Sequence, residues 1–591
     1  MVEVLVAFSG CKASAEGVDS ESLSGEFQIL TSTYSTTPST ILSQLPNPNQ
    51  APNPITPRPP KQPIEIPQPL SETPLDQTQP KPPSSQTRPE IPGSITVTKF
   101  EFEGNTAFSN QKLIEATADY INRPITFAEL LQVENVITTL YIKAGYINSG
   151  AVIPANQAFS PKGAVVKIQI VEGGIEEIKV TGTRRLNSEY IRSRIGLATS
   201  KPLNRFRLLE ALQLLQLDPL IENLSAELAA GSRPEVSLLE VKVKEADSFR
   251  TEFFADNGRN PSVGSFRRGV NINEGNLLGF GDRFDAKYTN TDGSNAYDLS
   301  YSVPINPRNG TITVSGGWTN TDVVEPPFDR ADITGDSFYV DVSLRQPVIQ
   351  TPTQELALGL AFSRQQSQTK IEGENRPLSP GANGDGETRI SAVRFVQEYT
   401  QRHPQQVFAL RSQFSLGVGL FNATINKNPP DSRFFSWRGQ GQYVRLLAPQ
   451  TLLVLRSDVQ LATRTLVPLE QFGVGGLQSV RGYRQDQLLT DNGFLASAEV
   501  RLPVLRVKEV EGLLQVVPFV DFGVGWNNSR NPDEDPNINT LASVGLGLQW
   551  QMGDQFSARL DYGIPLIDVR AKDERTLQEQ GFYFSVNYSP F

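Results

Sequence analysis

Two short strings in this 591-residue chain place charged side chains where they can do specific work. FGVGGLQSVRGYRQ, from Phe472 to Gln485, carries Val480, Arg481, Gly482 and Tyr483, and PFVDFG further on carries Phe519, Asp521 and Gly523. The chemistry these residue types offer is ionic clamping. A guanidinium presents a fork of donors that a carboxylate accepts bidentately, and a neighbouring glycine takes the positive φ of a tight turn. Little else in the chain is reactive. Cys11 and His403 are the only cysteine and histidine, so neither an internal disulfide nor a His/Cys zinc site can be built. There is no G-x-x-x-x-G-K-[ST] string, and no motif sets a nucleophile beside a base. With 54 basic against 64 acidic side chains the net charge is −10, which provides no field to hold nucleic acid. The expectation is a protein that is not an enzyme and has no catalytic residue, metal or cofactor.

Strands must position both strings. After Ala246, period-two segments run to the last residue, and sixteen can be drawn. In SFYVDVSLR, Phe338, Val340, Val342 and Leu344 oppose Asp341, Ser343 and Arg345. Later, Phe494, Ala496, Ala498 and Val500 oppose Ser497, Glu499 and Arg501, and Ala558, Leu560 and Tyr562 oppose Ser557, Arg559 and Asp561. One-sided strands also suit a soluble sandwich. The even number of segments, the aromatics near strand ends and the final Phe591 favour a closed transmembrane barrel with a wet lumen. No run of about 18 apolar residues is available for a spanning helix. The alternation sets Asp521 on the polar face. An arginine inside such a lumen needs a carboxylate to offset its desolvation, so Arg481 with Asp521 is the expected pair, with Gly482 making the turn that presents the arginine.

Upstream, a tandem β-α-α-β-β repeat occupies 95–173 and 174–246. ITVTKFEFEG alternates, Leu113 to Ile121 and Leu130 to Tyr141 have helical spacing, and AVIPAN and AVVKIQIVEGG read as closing strands. The second copy runs through IEEIKVTGTRRL, NSEYIRSRIGL, RFRLLEALQLLQLD, LSAELAAG and VSLLEVKVKE. Residues 1–94 read as a disordered N-terminal segment with a Pro-rich linker. Met1 to Phe8 lacks the basic start of a signal peptide.

The repeat, with VEGG directly before the next strand, resembles the polypeptide-transport-associated (POTRA) domain. V-R-G-Y and F-x-D-x-G resemble the inward-folded loop and the barrel-wall motif of two-partner secretion transporters, the haemolysin activator and filamentous haemagglutinin exporters. NLLGFGD, Asn276 to Asp282, resembles the first-hairpin turn of that superfamily, and FYFSVNYSPF resembles a terminal assembly signal ending on Phe591. The resemblance covers Ile95 to Phe591. It implies a mainly β chain: a 16-stranded antiparallel transmembrane β-barrel over 247–591, preceded by two periplasmic α+β POTRA domains, in the outer membrane of a Gram-negative-type bacterium. It implies a monomeric pore that takes an unfolded, β-helical secreted passenger through its POTRA domains and exports it, the loop bearing Arg481 organising the lumen. The implied partners are that passenger, outer-membrane lipid and the barrel-assembly machinery, with no nucleic acid. Two alternatives remain: a barrel-assembly insertase of the same superfamily, with more POTRA copies, and a passive solute porin, which has no use for them.

Overall fold

The computed structural model describes Leu75–Asp76 and residues 94–590, apart from 156, 158–161, 327, 530, 532–535, 537 and 570–575. Phe591, and the remainder of the Pro-rich N-terminal segment, lie outside the described residues.

The first α+β unit is built from strands Ser94–Glu103, Pro124–Thr126, Gly150–Val152 and Lys162–Val171 and helices Asn110–Ala116 and Phe127–Lys143. Helical spacing from Leu113 to Ile121 predicts one helix, but the α-helix stops at Ala116. Thr117, fully buried, bonds through its hydroxyl back to the Leu113 carbonyl at 2.9 Å, and a 3-10 turn over Ala118–Tyr120 follows. Such back-bonding by a β-hydroxyl competes with the next helical turn. The second helix opens on a capping box, Thr126 with Glu129. Its buried face, Leu130, Val133, Ile137 and Tyr141, packs on Val97, Phe100, Val166 and Ile168 of the sheet. Pro124–Thr126 adds a short strand that the periodicity does not reveal, giving the sheet order Pro124–Thr126, Ser94–Glu103, Lys162–Val171, Gly150–Val152.

The second unit has strands Gly174–Thr181, Ile221–Ala230 and Val236–Glu245 and helices Ser188–Gly196 and Arg205–Gln216, capped by Asn187 and Asn204. The linker contributes one element here: Leu75–Asp76 adds in parallel to Ile221–Ala230, opposite Ala226 and Glu227. The two units are joined tightly. Leu203 N donates to the Gly173 carbonyl at 2.8 Å and Arg205 N to the Gly145 carbonyl at 2.9 Å. Beside this joint, Glu172 accepts from Thr106 N at 2.7 Å, Ala107 N at 2.8 Å and the Tyr141 hydroxyl at 2.9 Å. Burial pushes this carboxyl up, but the donors outweigh burial and hold it below the ordinary carboxylate range.

Sixteen antiparallel strands then close a barrel. They are β1 (Phe249–Asp256), β2 (Arg267–Glu274), β3 (Arg283–Thr291), β4 (Ser294–Pro304), β5 (Thr311–Asp322), β6 (Ile333–Gln350), β7 (Gln354–Ile371) and β8 (Glu387–His403). The second half comprises β9 (Gln406–Val418), β10 (Phe435–Ala448), β11 (Thr451–Ala462), β12 (Asn492–Val507), β13 (Gly512–Trp526), β14 (Thr540–Met552), β15 (Phe556–Pro565) and β16 (Phe582–Tyr588). His403 is the last residue of β8 and pairs with Gln406. Phe338, Val340, Val342 and Leu344 of β6 are exposed, whereas Tyr339 and Asp341 between them are buried. Apolar side chains therefore face outward toward lipid and polar ones inward, inverting the rule for soluble folds. The seam between β1 and β16 is short, four residue pairs from Ser585↔Asp256 to Tyr588↔Phe253. Above it Asn257 continues the join, donating to the Phe582 carbonyl at 2.8 Å and accepting from Phe584 N at 2.9 Å.

The β2–β3 turn, NLLGFGD, docks the second α+β unit: Asn187 N donates to the Gly279 carbonyl at 2.8 Å, and Arg185 donates to the Asn276 carbonyl at 3.1 Å. Asn187, which caps α-helix Ser188–Gly196, thus also fixes that unit to the barrel rim.

Glu172→Gln, which removes the carboxylate while keeping size, should destabilise the first unit by about 1–3 kcal/mol, the cost of leaving buried donors poorly met. It should be read as faster hydrogen exchange at the Thr106 and Ala107 amides. Because the folded carboxyl is lowered, its contribution is present above the ordinary carboxylate range and is lost as pH falls through the lowered value; the protection factors of these two amides, exchange corrected for the intrinsic rate at each pH, should therefore fall on acidification in the parent protein and not in the variant. On the barrel, Val340→Arg at the centre of a lipid-facing row should cost about 2–4 kcal/mol, measured by urea titration of folding into liposomes, while Ser343→Arg on the inner face should be near neutral.

Candidate functional site

Between β11 and β12 the chain folds back through residues 463–491. Its middle is a small hairpin in which Phe472–Val474 pairs with Leu488–Thr490, and the V-R-G-Y tetrad lies at the tip. This arm leans on the wall through an apolar cluster of Phe472, Val474, Val480, Tyr483 and Leu488 with Leu495 of β12 and Leu541 of β14. Gly523, the last member of F-x-D-x-G, lies under it: a Cβ there would come within 2.4 Å of Val474 and 3.0 Å of Val480. Gly482 has φ +97°, a left-handed conformation that side chains rarely adopt, and it passes close to the Gly563 backbone of β15.

Arg481 is 1 % exposed and Asp521 likewise. The guanidinium donates through Nε to Asp521 Oδ2 at 2.8 Å and through Nη2 to Oδ1 at 2.9 Å, and the Arg481 backbone N–H reaches the same carboxylate at 3.1 Å. Two more carboxylates stand near, Glu499 of β12 at 3.4 Å and Asp561 of β15 at 3.6 Å. Arg559 binds both of these, at 2.9 and 2.8 Å, and Arg501 binds Glu499 at 2.8 Å, so the charges alternate in sign through the cluster. Beneath Arg481 lies the ring of Phe519, 3.4 Å from the guanidinium carbon to the ring centroid, a cation–π contact of the kind strengthened by desolvation. Ser497 Oγ completes the Asp521 shell, donating to Oδ1 at 2.6 Å.

The tyrosine of the tetrad is held by backbone. Its hydroxyl lies 2.8 Å from the Ala542 carbonyl and 3.0 Å from the Ile567 carbonyl. Tyr583 of β16 clamps the turn, accepting from Gly482 N at 3.0 Å and donating to the Tyr483 carbonyl at 2.5 Å. One residue on, Arg484 pairs with Glu325 at 2.6 Å in the β5–β6 loop and with Glu579 at 3.5 Å in the β15–β16 loop. The structure thus brings Val480, Arg481, Gly482, Tyr483, Phe519, Asp521 and Gly523 into one constellation. Sequence reasoning did not single out Glu499, Asp561, Ser497 and Tyr583 as members, although the first three lie on polar faces that the alternation exposes. The arrangement anchors the arm to the barrel wall by charge.

Residues 235–550, over half of the chain, match the family described as Haemolysin secretion/activation protein ShlB/FhaC/HecB. The chain belongs to this family. Residues 95–173 separately match the POTRA domain, ShlB-type. Among curated relatives, the Heme/hemopexin transporter protein HuxB of Haemophilus influenzae strain 86-028NP is 22% identical over 484 residues, 78% of this chain and 82% of that protein. The outer membrane transporter CdiB of Dickeya dadantii is 22% identical over 452 residues, covering 74% and 77%. Among solved structures, CdiB from Escherichia coli superposes with a TM-score of 0.66 at 19% identity, over 87% of this chain and 93% of its own, and CdiB from Acinetobacter baumannii with 0.58 at 18%, over 85% and 91%. At such identity the superpositions speak for the fold. As a member of this family the chain is an outer-membrane two-partner secretion transporter, with its POTRA domains on the periplasmic side.

A swap of Arg481 and Asp521 would set a carboxylate at position 481 close to Glu499 and Asp561, so single changes are more informative. Asp521→Asn should cost about 3–5 kcal/mol, as for a buried ion stripped of its partner, reduced by the carboxylates that remain. Phe519→Leu should cost about 0.5–2 kcal/mol. Urea-dependent loss of the heat-modifiable barrel band should rank the two in that order.

Proposed function

We propose that this protein captures an unfolded secreted partner in the periplasm and passes it through the barrel, with the arm as the element that yields. The observation that carries this reading is the arm itself, an inward hairpin anchored by a charge cluster inside a barrel whose rim holds two α+β units. A passive porin has no use for those units, and the count of two among the described residues supports an exporter over an insertase with more copies.

Capture is assigned to open sheet edges. In the first unit Ser94–Glu103 pairs on one side with Lys162–Val171 and on the other with Pro124–Thr126 only at Ser94, Ile95 and Thr96. Beyond Val97, whose carbonyl accepts from Asn122 N at 2.8 Å, that edge is assigned to a strand of the partner, main-chain bonds giving affinity. The anchor of Arg481 is then the site that must let go, since a chain in transit competes for the lumen that the arm occupies. Without a nucleotide motif, folding of the partner outside supplies the direction. Export by the reconstituted protein in liposomes should proceed without a soluble energy source.

The function is tested by expressing a candidate passenger encoded nearby, with and without this chain, and assaying the medium. Secretion should require this chain and fall at least tenfold with Arg481→Ala. Secretion that persists without it, accompanied by loss of other barrels from the outer membrane, would assign the insertase instead.

A further inference from the structure

The root of the arm carries a second buried ion pair, far along the wall from the first. Arg394 projects inward from β8, between the outward-facing Val393 and Phe395. It donates to Glu470 through Nη2 at 2.6 Å and Nη1 at 3.0 Å, and to Ser415 Oγ of β9 at 2.9 Å. Glu470 ends the 3-10 turn Pro468–Glu470, immediately before the arm's hairpin. Both side chains are almost fully buried, 2% and 4% exposed. Around the pair, Leu466, Val467 and Leu469 of the root pack on Ile390 and Ala392 of β8 and on Phe434. Asp491, at the other leg of the arm, ties the root to itself by accepting from Leu466 N at 2.8 Å, and to the β13–β14 loop by accepting from Asn528 N at 2.9 Å.

Two fully desolvated bidentate pairs on one loop are costly to form and costly to break singly. They grip different walls: Asp521 is on β13 and Arg394 on β8, five strands away in the sheet order. The apolar clusters divide in the same way, with Phe472, Val474, Val480, Tyr483 and Leu488 at the tip and Leu466, Val467 and Leu469 at the root. Asp341 of β6 lies on the inner face of the same wall.

We infer that Arg394 and Glu470 form a second latch, independent of Arg481 with Asp521, which holds the root of the arm on β8 while the tip is held on β13. Arg394 and Glu470 are positioning residues. They set where the arm pivots, so the tip can leave Asp521 while the root stays. This deepens the reading of the arm as the yielding element, and its test is made without a passenger, so failure of export and failure of the latch are separate results.

The test uses the full chain with Cys11→Ser, reconstituted in liposomes, and compares two single-cysteine probes: Leu469→Cys at the root and Ser479→Cys at the tip. The labelling rate with a bulky, membrane-impermeant maleimide reports release of each. Glu470→Gln should accelerate labelling at the root at least tenfold and at the tip less than twofold; Asp521→Asn should do the reverse. An unchanged root rate in a Glu470→Gln protein that keeps its heat-modifiable mobility overturns the latch. So does Asp521→Asn freeing both probes together, which would make the arm one rigid body with one anchor. Should Glu470→Gln fail to assemble, Arg394→Lys decides: it keeps the charge and loses the fork, and it should raise the root rate about threefold or more, no change being the overturning result.

Discussion

A guanidinium held out of water must be met by carboxylates placed to within a fraction of an ångström, and the second half of the barrel is arranged around that demand. Ser497 stands directly across from Asp521, and Glu499 across from Phe519, in the β12–β13 register. Each of these side chains faces inward because each lies on the same phase of a period of two. A slip of one residue in either strand would turn the whole set toward lipid. The register of the wall and the place of the arm are therefore one constraint, and the glycine at 523, which leaves room for Val474 and Val480, belongs to it as much as the charges do.

Alternation made the inner and outer faces legible because a lipid-facing row admits so few charges. The repeat upstream was legible because amphipathic helices and short strands follow one another at a fixed order. Arg481, Asp521 and Gly482 could be named from resemblance together with the cost of burying an unpaired arginine. What could not be read was which strands end up as neighbours of the tip. Tyr583 is 100 residues from the tetrad carbonyl that it binds, and Glu470 is 76 from Arg394; nothing in local pattern links them. Phe519 shows the limit another way. An aromatic on the inner face looks like an exception to the alternation, and only the guanidinium above it gives the reason.

The α+β units and the barrel share a continuous framework. Backbone bonds join the first unit to the second through Gly145 and Gly173, and the second to the β2–β3 turn through Gly279. The same helix caps that end the orphaned donors of a first turn sit at these joints, at Asn187 and Asn204. A partner segment gripped at an open sheet edge would thus be held at a fixed bearing to the barrel rim.

The seam and the arm share their contacts. Only four residue pairs join β1 to β16, yet Tyr583 of β16 holds the arm's turn, and Gln578 just before it accepts from Gln485 N at 2.8 Å and donates to the Arg259 carbonyl at 2.7 Å. The bonds to Gly482, Tyr483 and Gln485 exist only with the arm inside the barrel. The strand that closes the sheet therefore also completes the seat of the arm, so that neither contact set is whole without the other.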